Sequence, residues 1–349
     1  MKFSNAARKI ETNHSISKKE IRLSANAKAF RIILGQIYPD IIKAVVRELF
    51  TNAWDSQKSV GNLAKEIEIH SPSSYEPWFS IRDFGSGMSQ QTVDDIYSNI
   101  FESTKDKSND EAGTFGMGSK TPLGYQDNFT LISYQNGSYL YYDIYMSENG
   151  VPVIDLKDQG ETDEPNGVFI QLAVRGTDVT TFQRNILHFV FGANTPVKID
   201  GKKFDNKYKI VFDSKDYELV DSETVTSPFV RMGPVLYRLN FDLLSNGYYH
   251  GRNNYSSLYS TPIVLKFNIG DFEVTGSRED IIYNQDSKEK IFAVLDTVIE
   301  DMKKKIQDDI DSKPNFFEAR KALMLTHAGT IQKLSGYSHS QNMDFTYKG

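Results

Sequence analysis

The chain has 349 residues, 39% hydrophobic and 25% charged, with a formal net charge of −6, no cysteine and six histidines. This composition excludes a wholly disordered chain, a disulfide scaffold, thiolate metal sites and cysteine nucleophiles. The histidines (His14, His70, His188, His250, His327, His339) include no i, i+4 pair that would turn two imidazoles toward one transition metal.

The acidic balance argues against duplex DNA as a partner. No run reaches the roughly 18 apolar residues of a membrane span, and the opening MKFSNAARKIETNHS has no apolar stretch behind its charges. A cytosolic protein is expected, long enough for two domains. In chain order, residues 24–36 predict a first helix with a Ser24 cap, and residues 41–59 a second, longer one. Ile41, Ile42, Val45, Val46, Leu49 and Ala53 form the apolar stripe of the second helix, and Gly61 ends it. Strands are expected at 66–70 and 78–83. Residues 98–126 are polar, glycine-bearing and aperiodic, which in a compact domain suggests a lid. Strands follow at 128–135 and 138–146, joined by the turn pair Asn136-Gly137, and at 167–174. Helices against a mixed sheet give an α+β, two-layer sandwich. After a helix at 178–191, a second strand-rich region is expected, with strands at 197–200, 208–212, 228–239 and 263–268. An amphipathic helix at 286–311 is stopped by Lys313-Pro314. The Ser/Gly/Asn/Tyr-rich tail from Gly329 reads as loose or as an interaction segment. The domains expected are 1–176, 177–312 and a C-terminal segment, 313–349.

Three groups of residues carry chemistry. Glu48, Asn52 and Asp55 stand at i, i+4 and i+7 of the second helix, so they share a face and can converge on one ligand. Asp83-Phe84-Gly85-Ser86-Gly87-Met88 follows a strand; its glycines permit a tight turn, and a strand-end aspartate can accept a hydrogen bond from an exocyclic amine. Gly113-Thr114-Phe115-Gly116-Met117-Gly118-Ser119-Lys120 offers backbone N–H groups to phosphate oxygens and a lysine point charge. Ser119 between Gly118 and Lys120 breaks the Walker A pattern, and neither glycine cluster completes a dinucleotide fingerprint.

Each group alone would be an ordinary helix face, turn or glycine loop. In this order and spacing, E-x-x-x-N-A-x-D, D-x-G-x-G-M and G-x-F-G-x-G-x-K together resemble the nucleotide motifs of the GHKL superfamily, named for gyrase, heat-shock chaperone, kinase and MutL. The resemblance implies a Bergerat-type sandwich that binds ATP with Mg²⁺. By it, Glu48 is the general base, Asn52 ligates Mg²⁺, Asp83 reads the adenine amino group, and Gly85, Gly87 and Met88 form the adenine wall. Gly113, Phe115, Gly116, Met117, Gly118, Ser119 and Lys120 form the phosphate lid, with Lys120 at the terminal phosphate, and Asp55 is a candidate for the pocket floor. The superfamily's fourth motif places a threonine after a strand-start glycine, whereas here Gly167 is followed by Val168.

Ser277-Arg278-Glu279 is similar to an element of the HtpG-type middle domain, which makes Arg278 a candidate for the γ-phosphate; a capping box of Ser277 with Asp280 is the other reading of these residues. That kinship implies a second, smaller α+β domain of left-handed βαβ crossover type, closed by the C-terminal helix.

The runs AVVRELFTN (44–52), RDFGSGMS (82–89), STK (103–105), SND (108–110) and FGMGSKTP (115–122) are similar to the bacteriophage RIIA proteins, lysis inhibitors of T-even-type phages. This implies a compact relative or a fragment of one, in the cytoplasm of an infected bacterium or at the periphery of its inner membrane. The partners it implies are ATP and ADP, a second copy in a nucleotide-dependent homodimer, and a phage or host protein. A slow ATPase is therefore expected. The rivals are a nucleotide-sensing scaffold without turnover and a DNA-handling subunit of topoisomerase or MutL type. No histidine lies in a phosphoacceptor setting, which argues against a histidine kinase.

Overall fold

The computed structural model describes residues 35–98, 118–148, 151–193, 195–204, 209–221, 225–245, 255–275, 277–326 and 346–348. The expected helix at 24–36 and the lid at 98–126 therefore lie largely outside the described residues, as does most of the tail.

Helix α1 (Ile41–Ser59) starts where Asp40 caps it by accepting from the Lys43 N–H at 3.0 Å. It ends near Gly61, whose φ of 70° suits glycine. Its apolar stripe is fully engaged: Ala44, Val45, Val46, Leu49 and Phe50 are at most 1% exposed. Its polar side is buried too, with Arg47, Glu48, Thr51, Asp55 and Gln57 all inside. An amphipathic surface helix would wet that side, so something other than water covers it.

Below α1 lies an eight-stranded sheet: β1 (Ile67–His70), β2 (Trp78–Arg82), β3 (Asn128–Gln135), β4 (Ser138–Met146), β5 (Pro152–Glu161), β6 (Gly167–Ala173), β7 (Val197–Ile199) and β8 (Lys202–Lys203). Their order is β5-β4-β3-β6-β2-β1-β7-β8. Alternation along β3 sends Phe129, Leu131 and Ser133 inward. Two further helices, α2 (Gln90–Ser98) and the four-residue α3 (Pro122–Tyr125), flank the site. Helix α4 (Val179–Gly192) packs beside α1, and its Phe182 ring meets Phe79 of β2 at 5.7 Å and Tyr125 at 5.1 Å. Phe50, Phe79 and Phe182 are each nearly water-free, worth about 1.5–3 kcal/mol apiece in apolar burial. This is the α+β sandwich expected.

The sheet does not end at residue 176. Strand β7 runs parallel beside β1, with Ile67 opposite Val197, and Thr195 Oγ1 donates to the Leu63 carbonyl at 3.0 Å. The expected boundary between 176 and 177 thus falls inside the first packed unit, which runs to about residue 204. Short strands bearing Lys198, Lys202 and Lys203 carry too little apolar pattern to reveal which sheet they join.

A second sheet has the order β12-β11-β13-β10-β9: β9 (Lys209–Asp213), β10 (Tyr217–Asp221), β11 (Phe229–Met232), β12 (Val235–Arg238) and β13 (Ile263–Phe267). The expected strand at 228–239 is a hairpin, because Gly233 turns at φ 58°. Strands β11 and β13 are parallel neighbours, so the chain crosses over between them, with helix α5 (Phe241–Ser245) on the way. Helix α6 (Gln285–Asp311) covers the sheet with Ile291, Leu295, Val298, Ile299, Ile306 and Ile310, as its periodicity predicted. Asn284 caps it by accepting from the Ser287 N–H. The short helix α7 (Phe316–Lys321) follows. The capping-box reading of Ser277 fails, because no helix begins there; the Ser277 hydroxyl instead meets Thr275 Oγ1 at 3.2 Å.

Gly167 opens β6 at φ 140°, and a Cβ there would stand 2.1 Å from the Asp83 carbonyl oxygen, whereas one at Gly176 would meet nothing within 4 Å. Gly167→Ala is expected to cost about 3 kcal/mol or more and Gly176→Ala about 1 kcal/mol at most. Urea unfolding of the two variants checks this; equal losses would show that β6 yields at its start.

Candidate functional site

Helix geometry aligns Glu48, Asn52 and Asp55 on the face of α1 that meets the rest of the site. Glu48 is 1% exposed, and both of its oxygens are engaged. Arg47 Nη2 donates to Oε1 at 3.0 Å, and Arg278 Nη1, from the second unit, donates to Oε2 at 3.1 Å. Arg278 reaches it from a backbone at φ 56°, uncommon for a non-glycine residue. Lys43 pairs with Glu279 at 3.4 Å beside this contact. Tyr38 and Tyr237 close over the cluster; burial pushes Tyr237 up to about 12, so its hydroxyl stays neutral. Arg47 retains two buried N–H groups, Nε and Nη1, without a partner. Glu48 and Arg278, expected at the attacking water and the γ-phosphate, here form a direct ion pair.

The Asp83 turn is held from three sides. Asp83 Oδ1 accepts from Ser56 Oγ at 3.0 Å and from the Gly85 N–H at 2.9 Å. Gln57 Oε1 accepts from the Phe84 N–H at 3.2 Å, and Asn62 Nδ2 donates to the Phe84 carbonyl at 2.8 Å. Ser133, at an inward position of β3, accepts from the Met88 N–H at 2.6 Å and donates to the Met88 carbonyl at 2.8 Å. Arg82 anchors the far side through the Asp83 and Pro165 carbonyls and stacks over Tyr134. Ser56, Gln57, Asn62, Ser133 and Arg82 escaped sequence reasoning. A lone polar residue within an apolar alternation, as Ser133 is, was the one available signal.

The glycines have neighbours of their own. A Cβ on Gly85 would meet Ser56 Oγ at 1.9 Å, and one on Gly87, at φ 70°, would meet the Tyr134 carbonyl oxygen at 2.1 Å. Both turns therefore need glycine for close packing, whatever ligand lies beyond. Gly118 opens a short 3₁₀ turn, Gly118–Lys120, pressed onto Glu48: a Cβ there would stand 2.3 Å from Glu48 Oε2.

Lys120 is 2% exposed and donates from Nζ to the Ile96 carbonyl near the end of α2 at 2.7 Å, a favourable place for a cation. Burial pushes its ammonium down to about 8. Ser119 and Asn52 are half-buried, and Asp55 is buried. Gly113, Phe115, Gly116 and Met117 lie outside the described residues. Among the described residues no group of three or more His, Asp or Glu side chains could hold a metal. A magnesium ion here would take the Asn52 amide oxygen and otherwise rely on phosphate oxygens and water, which suits an ion that keeps most of its shell.

Burial raises the Asp83 carboxyl from 3.8 to about 6, against the lowering by Gly85, Ser56 and Arg82. The folded state holds this proton more tightly than the unfolded chain. Its contribution to stability is therefore fullest below about pH 4 and is lost as pH rises through about 6. Asp83→Asn, which escapes that loss, is expected to unfold at a higher temperature than the parent at pH 7, by up to about 3 kcal/mol in stability. The advantage should shrink toward pH 4.5. Scanning calorimetry across that range tests it, and an Asn variant less stable at pH 7 would refute the burial argument.

Residues 41–159 match the sequence profile of the family described as histidine kinase-, DNA gyrase B-, and HSP90-like ATPase. Among solved structures, the ATPase region of Saccharomyces cerevisiae topoisomerase II is similar at 11% identity, with a TM-score of 0.49, over 74% of this chain and 85% of that one. No curated protein matches the chain. The matched segment runs from the start of α1 into β5.

Proposed function

We propose that the chain binds ATP with Mg²⁺ between the α1 face and the Asp83 turn, and hydrolyses it slowly. The observation that carries this reading is the meeting of Glu48, the Gly118–Lys120 turn and Arg278 at one buried carboxylate. Asp83 accepts from the adenine amino group, and the helix face and glycine turn receive the phosphates. A bound magnesium ion, held through Asn52, would neutralise phosphate oxygens. Glu48 takes a proton from a water molecule whose oxygen attacks the terminal phosphorus. The bond to the bridging oxygen breaks, leaving ADP and phosphate.

Before Glu48 can act, a carboxylate oxygen has to be released. A terminal phosphate offers Arg278 a second anionic partner, so the arginine exchanges Glu48 for the phosphate while the two units adjust. Breaking a buried ion pair without replacement costs about 3–5 kcal/mol. Even ~3 kcal/mol left uncompensated would slow turnover by a factor of roughly 100, so a low rate is expected.

A second reading is a nucleotide-sensing scaffold that binds without turnover. It is favoured by the same contact, since both Glu48 oxygens are committed to arginines. A homodimer that forms on ATP binding, and an RIIA-like role with phage or host partners at the membrane periphery, rest on the resemblance of the runs at 44–52, 82–89, 103–105, 108–110 and 115–122.

Glu48→Gln keeps the shape and removes the base. Hydrolysis is expected to fall by about 100-fold or more, with ATP affinity held within about threefold. Single-turnover assays with labelled ATP, beside calorimetric titration, measure both. Unchanged hydrolysis would remove Glu48 as the base, and no phosphate release by the parent over hours would select the scaffold. Sedimentation with a non-hydrolysable analogue is expected to show a dimer.

A further inference from the structure

Ser56 lies eight residues after Glu48 and four after Asn52, which puts all three on one stripe of α1. Its hydroxyl has a single proton to donate, and that proton goes to Asp83 Oδ1 across 3.0 Å. The Gly85 N–H lands on the same oxygen at 2.9 Å. Two donors on one oxygen fix the carboxylate plane. Both of these hydrogen bonds fall on Oδ1, with the Val168 N–H a further donor to the carboxylate, so Oδ2 is the oxygen assigned to a ligand.

Ser56 is itself held in place. The Gly85 backbone packs so closely that a Cβ there would meet Oγ at 1.9 Å, and the Ser56 carbonyl accepts from Ser59 Oγ at 2.8 Å. A threonine would crowd this space and an alanine would leave Oδ1 with one donor. Burial also matters: Asp83 is 6% exposed, so no bulk water stands by to replace a lost donor.

We infer that Ser56 is a positioning residue that aims Asp83 Oδ2 at the 6-amino group of a purine, and so sets a preference for 6-amino over 6-oxo purine nucleotides. The inference rests on the ATP reading and adds the residue that gives its base recognition direction. A carboxylate accepts from a 6-amino group and is repelled by a 6-oxo group, but only while its accepting oxygen points at that group. Released from Ser56, Asp83 turns about its side chain and the discrimination weakens.

The test uses the full chain, its Ser56→Ala variant and its Ser56→Cys variant, titrated with Mg·ATP and with Mg·ITP, the 6-oxo analogue. The parent is expected to favour ATP. Ser56→Ala should narrow the ATP-to-ITP affinity ratio about tenfold, mainly by weakening ATP. Ser56→Cys keeps the shape but offers a weak donor, so it should narrow the ratio as Ala does; a role in packing alone would leave it at the parent's ratio. If the parent prefers ATP and both variants hold that ratio within twofold, the inference is overturned while the ATP reading stands. If the parent binds neither nucleotide, the ATP reading falls and takes the inference with it.

Discussion

A carboxylate removed from water has to be matched by cations or take up a proton, and in this fold Glu48 is matched by two guanidinium groups. One, on Arg47, is its neighbour on α1. The other, on Arg278, comes from 230 residues along the chain and from the other sheet. This pair accounts for the burial of the polar side of α1, because the second unit must sit against that side for Arg278 to arrive. Apolar contacts confirm the seating: Ile269 and the Gly233 turn of the second unit lie against Trp54 of α1, and Leu236 lies against Gly192 of α4. The contact is therefore a structural joint and, on the proposed function, also the place where a phosphate is recognised. Anything that draws Arg278 away from Glu48 also loosens the joint, which couples ligand occupancy to the relation between the two units.

The Asp83 turn follows the opposite logic. Its carboxyl has hydrogen bonds from Ser56 and Gly85 and the nearby charge of Arg82, yet burial outweighs them and leaves it near 6. A structural aspartate would gain by becoming asparagine. The surrounding network does not relieve that cost; Gln57, Asn62 and Ser133 spend their hydrogen bonds on the backbone of residues 84 and 88. Rigid backbone around a costly carboxylate is what a binding site requires, since the cost is offset only when a donor arrives from outside.

Much of this was legible in the sequence. The 3.6-residue period of α1 and α6 gave their faces, and the turn pair Asn136-Gly137 fixed the β3–β4 register, which the structure reproduces from Asn128 opposite Tyr145 to Gln135 opposite Ser138. Other parts were hidden for physical reasons. Strand β5 is an edge strand with Asp155, Lys157 and Asp158 on it, so it has no clean apolar alternation. Strand β7 is three residues long, too short to declare its sheet. The ion pair of Arg47 with Glu48 joins consecutive residues of a helix, which ordinarily face different ways; only burial of the whole face brings them together. Lys120 was expected at a terminal phosphate, and the structure turns it to the Ile96 carbonyl, a choice set by the end of α2 and invisible in the lysine's own neighbourhood.

The glycines explain why the motifs could be recognised at all. Each of four motif glycines has its Cβ space taken by a residue of another motif or of the sheet beside it: Gly85 by Ser56, Gly87 by the Tyr134 carbonyl, Gly118 by the Glu48 carboxylate and Gly167 by the Asp83 carbonyl. Helix α1, the strand-end turn and the Gly118–Lys120 turn are thus packed closely against one another, before any ligand is considered. Side chains there would force the helix and the turns apart by more than a hydrogen bond tolerates. The pattern of glycines spread over 83 residues, from Gly85 to Gly167, records that mutual packing. On the proposed function this closeness is what lets a carboxylate, an amide and an aspartate surround a single small molecule.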